Sequence, residues 1–129
     1  MEFHLDQRSG TPMYLQIVQQ VREALRLGLL DVGDQLPTVR EVVASIAINP
    51  NTVAKAYREL EREGLVDAKP GRGTFVARTL GRSALEHHET LRNALVLWIL
   101  QAQRAGLDEE SIRALVSSTL REALVRRVA

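Results

Sequence analysis

Cysteine is absent from the chain of 129 residues. Disulfides, thiolate nucleophiles and cysteine-ligated zinc are therefore excluded together. Long apolar runs are also missing, because none approaches the roughly 18 residues that a membrane-spanning helix needs. The N-terminus MEFHLDQRSG lacks the basic and then apolar pattern of a secretory signal. We expect a soluble, cytoplasmic protein with no membrane partner.

Residue patterns for catalysis and metal binding are likewise missing. The sequence has no glycine-rich phosphate loop, and no serine or carboxylate constellation with a convergent histidine. The run Glu86-His87-His88-Glu89 invites a metal-site interpretation. Adjacent histidines on a helix point about 100° apart, however, whereas helical zinc pairs use i, i+4 spacing. We expect neither an enzyme nor a metal or other cofactor.

The length and net charge of the chain are typical of a small binding protein. A chain of this length makes one ordinary domain, or a compact domain with a helical appendage. The net charge is +1, and residues 1–77 hold nine Lys and Arg against ten Asp and Glu. Because bulk charge indicates no partner, a nucleic-acid interface must depend on where individual charges fall.

Two helices are predicted before residue 47. Thr11-Pro12 supplies a capping residue and a proline at the first helical position, which opens a helix over 12–27. Thr38-Val39-Arg40-Glu41 is a capping box, in which the threonine and glutamate satisfy each other's free amides. It opens a short helix over 39–46, which has one apolar side.

The tetrapeptide Asn49-Pro50-Asn51-Thr52 separates the second helix from a third. Asn49 is a preferred N-cap, and Pro50 suits the first helical position. Proline also disfavours helical geometry for the residue before it, so the second helix cannot continue into the third. Gly64 is a good left-handed end for the third helix.

Two short β-prone stretches follow, Leu65-Val66 and Thr74-Phe75-Val76. Pro70 and two glycines between them predict a hairpin with a basic, backbone-exposed tip. Three helices followed by a hairpin predict a winged helix-turn-helix over residues 1–77.

Residues 78–129 contain no proline and show long helical periodicity. Gly106 separates two helices, and Asp108 caps the second, near 109–127. A two-helix hairpin cannot bury both apolar faces by itself, so it packs either on the first domain or on the same helices of a second chain. We favour the second arrangement, a two-fold homodimer. The apolar residues expected at this interface are Leu91, Leu95, Trp98, Ile99, Ile112, Leu115, Val116, Leu120 and Leu124.

The stretch from Gly33 to Val76 reads GDQLPTVREVVASIAINPNTVAKAYRELEREGLVDAKPGRGTFV. It resembles the N-terminal DNA-binding domain of the GntR family of bacterial transcription regulators. The matching motifs are LPTVR, NTVAKAYREL with EGL, and GRGTFV, and PMYLQI matches the family's first helix. The short tail resembles the YtrA-like subfamily, whose tail dimerises and whose members often regulate operons for ABC-type transporters.

The resemblance implies a mostly α protein with a small β-hairpin: a winged helix-turn-helix followed by a two-helix dimerisation hairpin. It implies a sequence-specific transcription regulator, with the activity of a homodimeric repressor on an inverted-repeat operator in double-stranded DNA. A winged-helix module that docks on a protein instead is the alternative, supported by the weak net charge of residues 1–77. Whether a small-molecule effector exists stays open.

The start of the third helix is expected to read DNA. In a helix-turn-helix, the N-terminal residues of the second helix reach base edges in the major groove. Asn49, Asn51 and Thr52 stand there, where asparagine can form two bonds to adenine and free helix amides favour an anion. Lys55 and Arg58 lie farther along and suit contact with phosphate.

The second helix and the wing complete the expected interface. Arg40 matches the family arginine that contacts DNA, as the resemblance implies. At the tip of the wing, Lys69, Arg72 and the open backbones of Gly71 and Gly73 can enter or straddle the minor groove.

Several of these residues also have ordinary structural roles. Thr38, also among the expected contacts, and Asn49 cap helices whatever the function. Arg58 can pair with neighbouring glutamates on a solvated helix. Tyr57 and Trp98 are more typical of a core or interface than of a stacking platform.

Overall fold

A computed structural model describes residues 1–81 and 85–128 of the chain, and the side chains of residues 1–81 and 88–126. These residues form five helices and one hairpin in two compact units, Met1–Leu85 and Glu86–Ala129. In chain order the elements are α1 (Met13–Arg26), α2 (Val39–Ile46), α3 (Pro50–Arg62), β1 (Val66–Lys69), β2 (Gly73–Val76), α4 (Leu85–Arg104) and α5 (Glu109–Val128).

The start of α1 differs from the prediction by one position. Pro12, and not Thr11, occupies the N-cap, and no side chain of the described residues caps the helix there. The buried side chain of Gln16 instead donates to the carbonyls of Asp6 and Thr11, both at 2.9 Å, and accepts from the Asp6 amide at 2.8 Å. These bonds fasten the N-terminal segment to α1, and Phe3 of that segment lies in the core.

The break between α2 and α3 is confirmed. Thr38 and Glu41 form the predicted capping box, with bonds of 3.1 and 3.3 Å. Asn49 caps α3 by accepting from the Asn51 amide at 2.8 Å. No local residue pattern indicated that Ala47 would end α2 in the left-handed region, with φ 51° and ψ 43°.

One apolar core holds the first unit together. α1 contributes Ile17, Val21 and Leu25, which are fully buried against the apolar face of α3. The apolar face of α3 consists of Val53, Ala56, Tyr57 and Leu60. Close packing of these side chains fixes α3 relative to α1 and leaves its opposite side in solvent.

Polar ties complete the packing around the end of α3. Arg22 of α1 forms an ion pair with Glu63. Arg78, beyond the hairpin, donates to the carbonyl oxygen of Glu63 at 3.0 Å. The Glu61 carboxylate accepts from the amide of Ala68 at 2.9 Å. The C-terminal end of α3 is thus joined to both α1 and the hairpin.

The hairpin is longer than predicted. β1 and β2 pair antiparallel from Val66 opposite Val76 to Lys69 opposite Gly73. The Arg72 amide donates to the Lys69 carbonyl at 2.9 Å across Pro70-Gly71, and Gly71 has φ 75°. Proline followed by a glycine with positive φ is typical of a type II turn. Because this turn needs only two central residues, the strands come as close as Lys69 and Gly73, with three residues between them.

The second unit consists of α4 and α5. Gly106, with φ 95°, lies in the connection. Asp108 accepts from the Ser111 amide at 2.8 Å, which confirms it as the N-cap of α5. Hydrogen bonds from Ser111 hold the pKa of Asp108 below its ordinary value. Neither these helices nor any other in the described residues has the length and hydropathy to cross a membrane.

Candidate nucleic-acid interface

The solvent side of α3 carries Asn51, Lys55 and Arg58, all exposed. Successive helical residues are 100° apart, so spacings of four and three residues place these side chains on one stripe. The stripe faces away from buried Val53 and Leu60. The amide of this stripe can hydrogen-bond to base edges, and its two cationic groups can bind phosphates or base edges.

The first turn of α3 has no free amide for an anion, contrary to the expectation. Pro50 lacks an N–H group. The Asn51 amide donates to the side chain of Asn49, and the Thr52 amide donates to the Asn49 carbonyl at 3.0 Å. Contacts at this helix start must therefore come from side chains, and Thr52 is half-buried there.

The cationic groups of the first unit divide into paired and unpaired sets. Arg62 pairs with Glu59, with a bond of 3.0 Å from Nε to Oε2. The hydrogen bond to Arg62 lowers the pKa of the Glu59 carboxyl. Arg58 joins no ion pair with the described residues, so the alternative of a glutamate partner is not realised. The exposed cations without an ion pair there include the five expected DNA contacts, Arg40, Lys55, Arg58, Lys69 and Arg72, and also Arg8, Arg26 and Arg78.

Several acidic residues of the first unit have bonds of their own within the protein. Glu41 serves the capping box, Glu61 bonds to β1, and Glu63 pairs with Arg22. Asp34 accepts from the Asp31 amide at 2.8 Å. These four carboxylates bond to other parts of the protein. Net charge alone therefore does not describe where the cations of this surface lie.

The tip of the wing lies beside the start of α2. Thr38 and the tip residues 68–74 line one open concavity. Lys69, Gly71 and Arg72 are exposed, and Gly73 is half-buried. The Lys69 ammonium lies 5.0 Å from the centroid of the Phe75 ring. The shared concavity brings the wing residues together with Thr38. Arg40 is exposed on the first turn of α2.

Two residues near this surface were missed by the sequence patterns. Tyr14, in the first turn of α1, has the Lys55 ammonium 4.0 Å from its ring centroid. Gln35 donates from its side chain to the Arg72 carbonyl at 3.2 Å. Both contacts join residues 37 or more positions apart, so no local spacing could indicate them.

The predicted dimerisation residues are largely uncovered in the single chain. Leu95 and Trp98 of α4 line an apolar groove with three residues of the predicted set from α5, Leu115, Val116 and Leu120. Three half-buried members are Trp98, Ile99 and Ile112. The other six, Leu91, Leu95, Leu115, Val116, Leu120 and Leu124, are between 41% and 70% exposed.

The apolar surface of α4 is wider than one stripe. Val96, Leu97 and Leu100 are also exposed, and helical geometry puts them on the side opposite Leu91 and Leu95.

Among the described residues, no group of three or more His, Asp or Glu could hold a metal ion. The side chains of Glu86 and His87, part of the metal interpretation, lie outside the described ones.

The sequence matches known regulators over most of its length. The model for bacterial regulatory proteins of the gntR family matches residues 13–76. The HTH-type transcriptional repressor YtrA of Bacillus subtilis (strain 168) is 42% identical over 109 residues, which are 84% of each chain. A match of that length extends beyond the first unit into the tail.

Two solved structures share the fold. YtrA from Sulfolobus acidocaldarius, a GntR-family transcription factor, is 30% identical with a TM-score of 0.54, over 93% of this chain and 97% of that one. The DNA-binding domain of AraR in complex with operator ORE1 is 26% identical with a TM-score of 0.50, over 60% of this chain and 94% of that one.

Proposed function

The chain belongs to the GntR family of bacterial transcription regulators, and from that membership we propose that it is a homodimeric repressor of an inverted-repeat operator. It would act in the cytoplasm, on double-stranded DNA. The observation that carries this proposal is the exposed stripe of Asn51, Lys55 and Arg58 on α3, whose cations have no ion-pair partner among the described residues. A DNA-bound relative of the same fold, AraR, adds support.

In this proposal α3 lies in the major groove. Asn49, Asn51 and Thr52 face base edges, where asparagine recognises adenine and threonine contacts the thymine methyl group. Lys55 and Arg58 neutralise phosphates on the flanking strands. Because the first turn has no free amide, phosphate contact by α3 depends on these two side chains.

The start of α2 and the wing hold the flanking DNA. Thr38 and Arg40 contact the phosphate backbone, since the first helix of the motif crosses it. Lys69 and Arg72 enter the minor groove, which attracts cationic side chains. Gly71 and Gly73 let the backbone of the tip approach closely, because neither has a side chain.

The tail supplies the dimer. An apolar groove rimmed by exposed leucines on α4 and α5 would be covered by the same helices of a second chain. Linking two DNA-binding units raises affinity, because the second half-site binds at a high effective concentration. We place the boundary between the DNA-binding domain and this dimerisation tail at residues 77 and 78.

Selection of bound sequences from random DNA tests the function directly. We expect an enriched inverted repeat, with half-site centres about one helical turn, roughly 34 Å, apart or a simple multiple of it. Enrichment of a single half-site would contradict the dimer. A pool with no enriched sequence would contradict sequence-specific recognition.

A salt titration separates DNA binding from docking on a protein. Affinity for the selected operator should fall steeply with salt, because each neutralised phosphate releases counterions. Arg40→Ala should lower affinity strongly, whereas Arg121→Ala, an exposed arginine of α5, should not. Failure of the wild type to retard any DNA at low salt, its own promoter included, would favour the protein-docking alternative.

A further inference from the structure

The segment before α2 pairs with β2 of the wing through one isolated antiparallel bridge. The Gly33 amide donates to the Val76 carbonyl at 2.9 Å, and the Val76 amide donates to the Asp34 carbonyl at 2.8 Å. The Leu36 amide donates to the Thr74 carbonyl at 2.9 Å, which places Gln35 opposite Phe75. The backbone of Gln35 is therefore fixed beside β2, three residues before the cap of α2.

The side chain of Gln35 reaches along the wing to its tip. Its amide nitrogen donates to the Arg72 carbonyl at 3.2 Å. It also lies against Gly73, where a Cβ atom would come within 2.5 Å of that nitrogen. Gly73 has φ +126°, a conformation that other residues rarely adopt. The glycine thus leaves room for the glutamine and provides the backbone angle that the contact needs.

This contact fixes the peptide between Arg72 and Gly73. The other bond at the tip, from the Arg72 amide to the Lys69 carbonyl, closes the turn but leaves the Arg72 carbonyl for Gln35. With both groups of Arg72 bonded, the direction in which its side chain leaves the backbone is set before DNA arrives. An ordered side chain binds more tightly than a mobile one, since less conformational entropy is lost on binding.

We propose that Gln35 is a positioning residue for DNA binding: it orders the wing tip and so orients Arg72 toward the minor groove. The inference rests on the proposed function, because it requires that Arg72 meets DNA. Gln35 acts through Arg72 and does not add a phosphate contact of its own.

Gln35→Met tests this role, because methionine has a similar length and packs on Gly73 but cannot donate. Operator affinity of the full chain, measured by fluorescence anisotropy, should fall about fivefold, within the range for one hydrogen bond. The slope of log affinity against log salt should stay unchanged, because no phosphate contact is lost. Amide exchange of Arg72 in the free protein should become faster. Gln19→Met, on the exposed side of α1, is the matched control.

A double-mutant cycle decides whether Gln35 acts through Arg72. In an Arg72→Ala background, Gln35→Met should cause no further loss of affinity. An equal loss in both backgrounds would overturn the positioning role, as would a Gln35→Met protein that binds like the wild type. A wild-type chain that binds no selected DNA would instead overturn the proposed function, and this inference with it.

Discussion

The hydroxyl of Tyr57 in α3 donates a hydrogen bond of 2.6 Å to the carbonyl oxygen of Pro37, just before the cap of α2. The tyrosine is 7% exposed. It therefore joins α3 to the start of α2 through a part-buried hydrogen bond. Together with the apolar packing of α2 on α3, this contact holds the two expected DNA-binding helices in place.

Tyr57→Phe should lower the free energy of unfolding by about 1 kcal/mol, because the hydrogen bond to the Pro37 carbonyl is lost. Urea unfolding measures the change. Tyr14→Phe is the control, since the Tyr14 hydroxyl has no hydrogen-bond partner among the described residues, and it should have almost no effect. A Tyr57→Phe protein as stable as the wild type would show that the bond adds nothing.

The same residue predicts a loss of stability in alkali. Burial, with a contribution from the charge of Glu41, raises the pKa of the Tyr57 hydroxyl far above its ordinary 10.0. Above pH 10 the unfolded chain loses this proton and the folded chain keeps it, so the free energy of unfolding falls as pH rises. Because Tyr57→Phe lacks the proton, its stability deficit should shrink above pH 10. A constant deficit from pH 8 to 11 would contradict this.

Asn49 can be tested as a cap and as a DNA contact separately. Asn49→Ser keeps an oxygen for the Asn51 amide, so stability should change little, while Asn49→Ala should cost about 1 kcal/mol. If the Asn49 amide recognises a base, Asn49→Ser should still weaken operator binding about tenfold. Unfolding curves and anisotropy on the same samples measure both. Operator binding of Asn49→Ser equal to that of the wild type would leave Asn49 a cap only.

Ala47→Gly should stabilise the protein by about 1 kcal/mol, because the left-handed conformation of Ala47 is strained for any residue with a Cβ atom. Ala44→Gly makes the same chemical change at an exposed position inside α2. This variant should destabilise the protein by about 1 kcal/mol, because glycine is unfavourable in the interior of a helix. Thermal unfolding compares the two variants, and equal signs would contradict the account.

Leu120→Glu should convert the proposed dimer into a monomer, because it places a charge in the apolar groove of α4 and α5. Ser118→Glu adds the same charge on the far side of α5 and should leave the dimer intact. Sedimentation measures the mass, and operator binding should weaken with the loss of linkage. Removal of residues 83–129 should have the same effect as Leu120→Glu. A dimer of either variant would contradict the proposed interface.

Features set by neighbouring residues could be predicted from the sequence. The cap of α2, the proline start of α3 and the end of that helix near Gly64 each depend on a few adjacent residues. The predicted N-cap of α1 was wrong: Pro12 occupies that position, and Gln16 fastens the preceding segment through contacts with Asp6 and Thr11. Hydrogen bonds of a side chain that has several available partners could not be predicted from neighbouring residues alone.

For the candidate interface, the sequence predicted residue types better than their surroundings. It indicated Lys55 and Arg72 as cations near DNA, and both are exposed. It could not indicate that Lys55 lies on Tyr14 or that Gln35 bonds to Arg72, because the two contacts form only after distant segments have packed. Family resemblance did not reveal them either, since its motifs describe single positions and not pairs.

The absence of free amides at the start of α3 has a consequence for how this protein can evolve. A backbone contact persists through most substitutions, but here every group offered to DNA at the helix start belongs to a side chain. If Asn51 and Thr52 contact base edges as proposed, single codon changes at these positions would redirect the chain to a new target while the fold stays intact. Duplicated copies could in this way diverge to separate regulons.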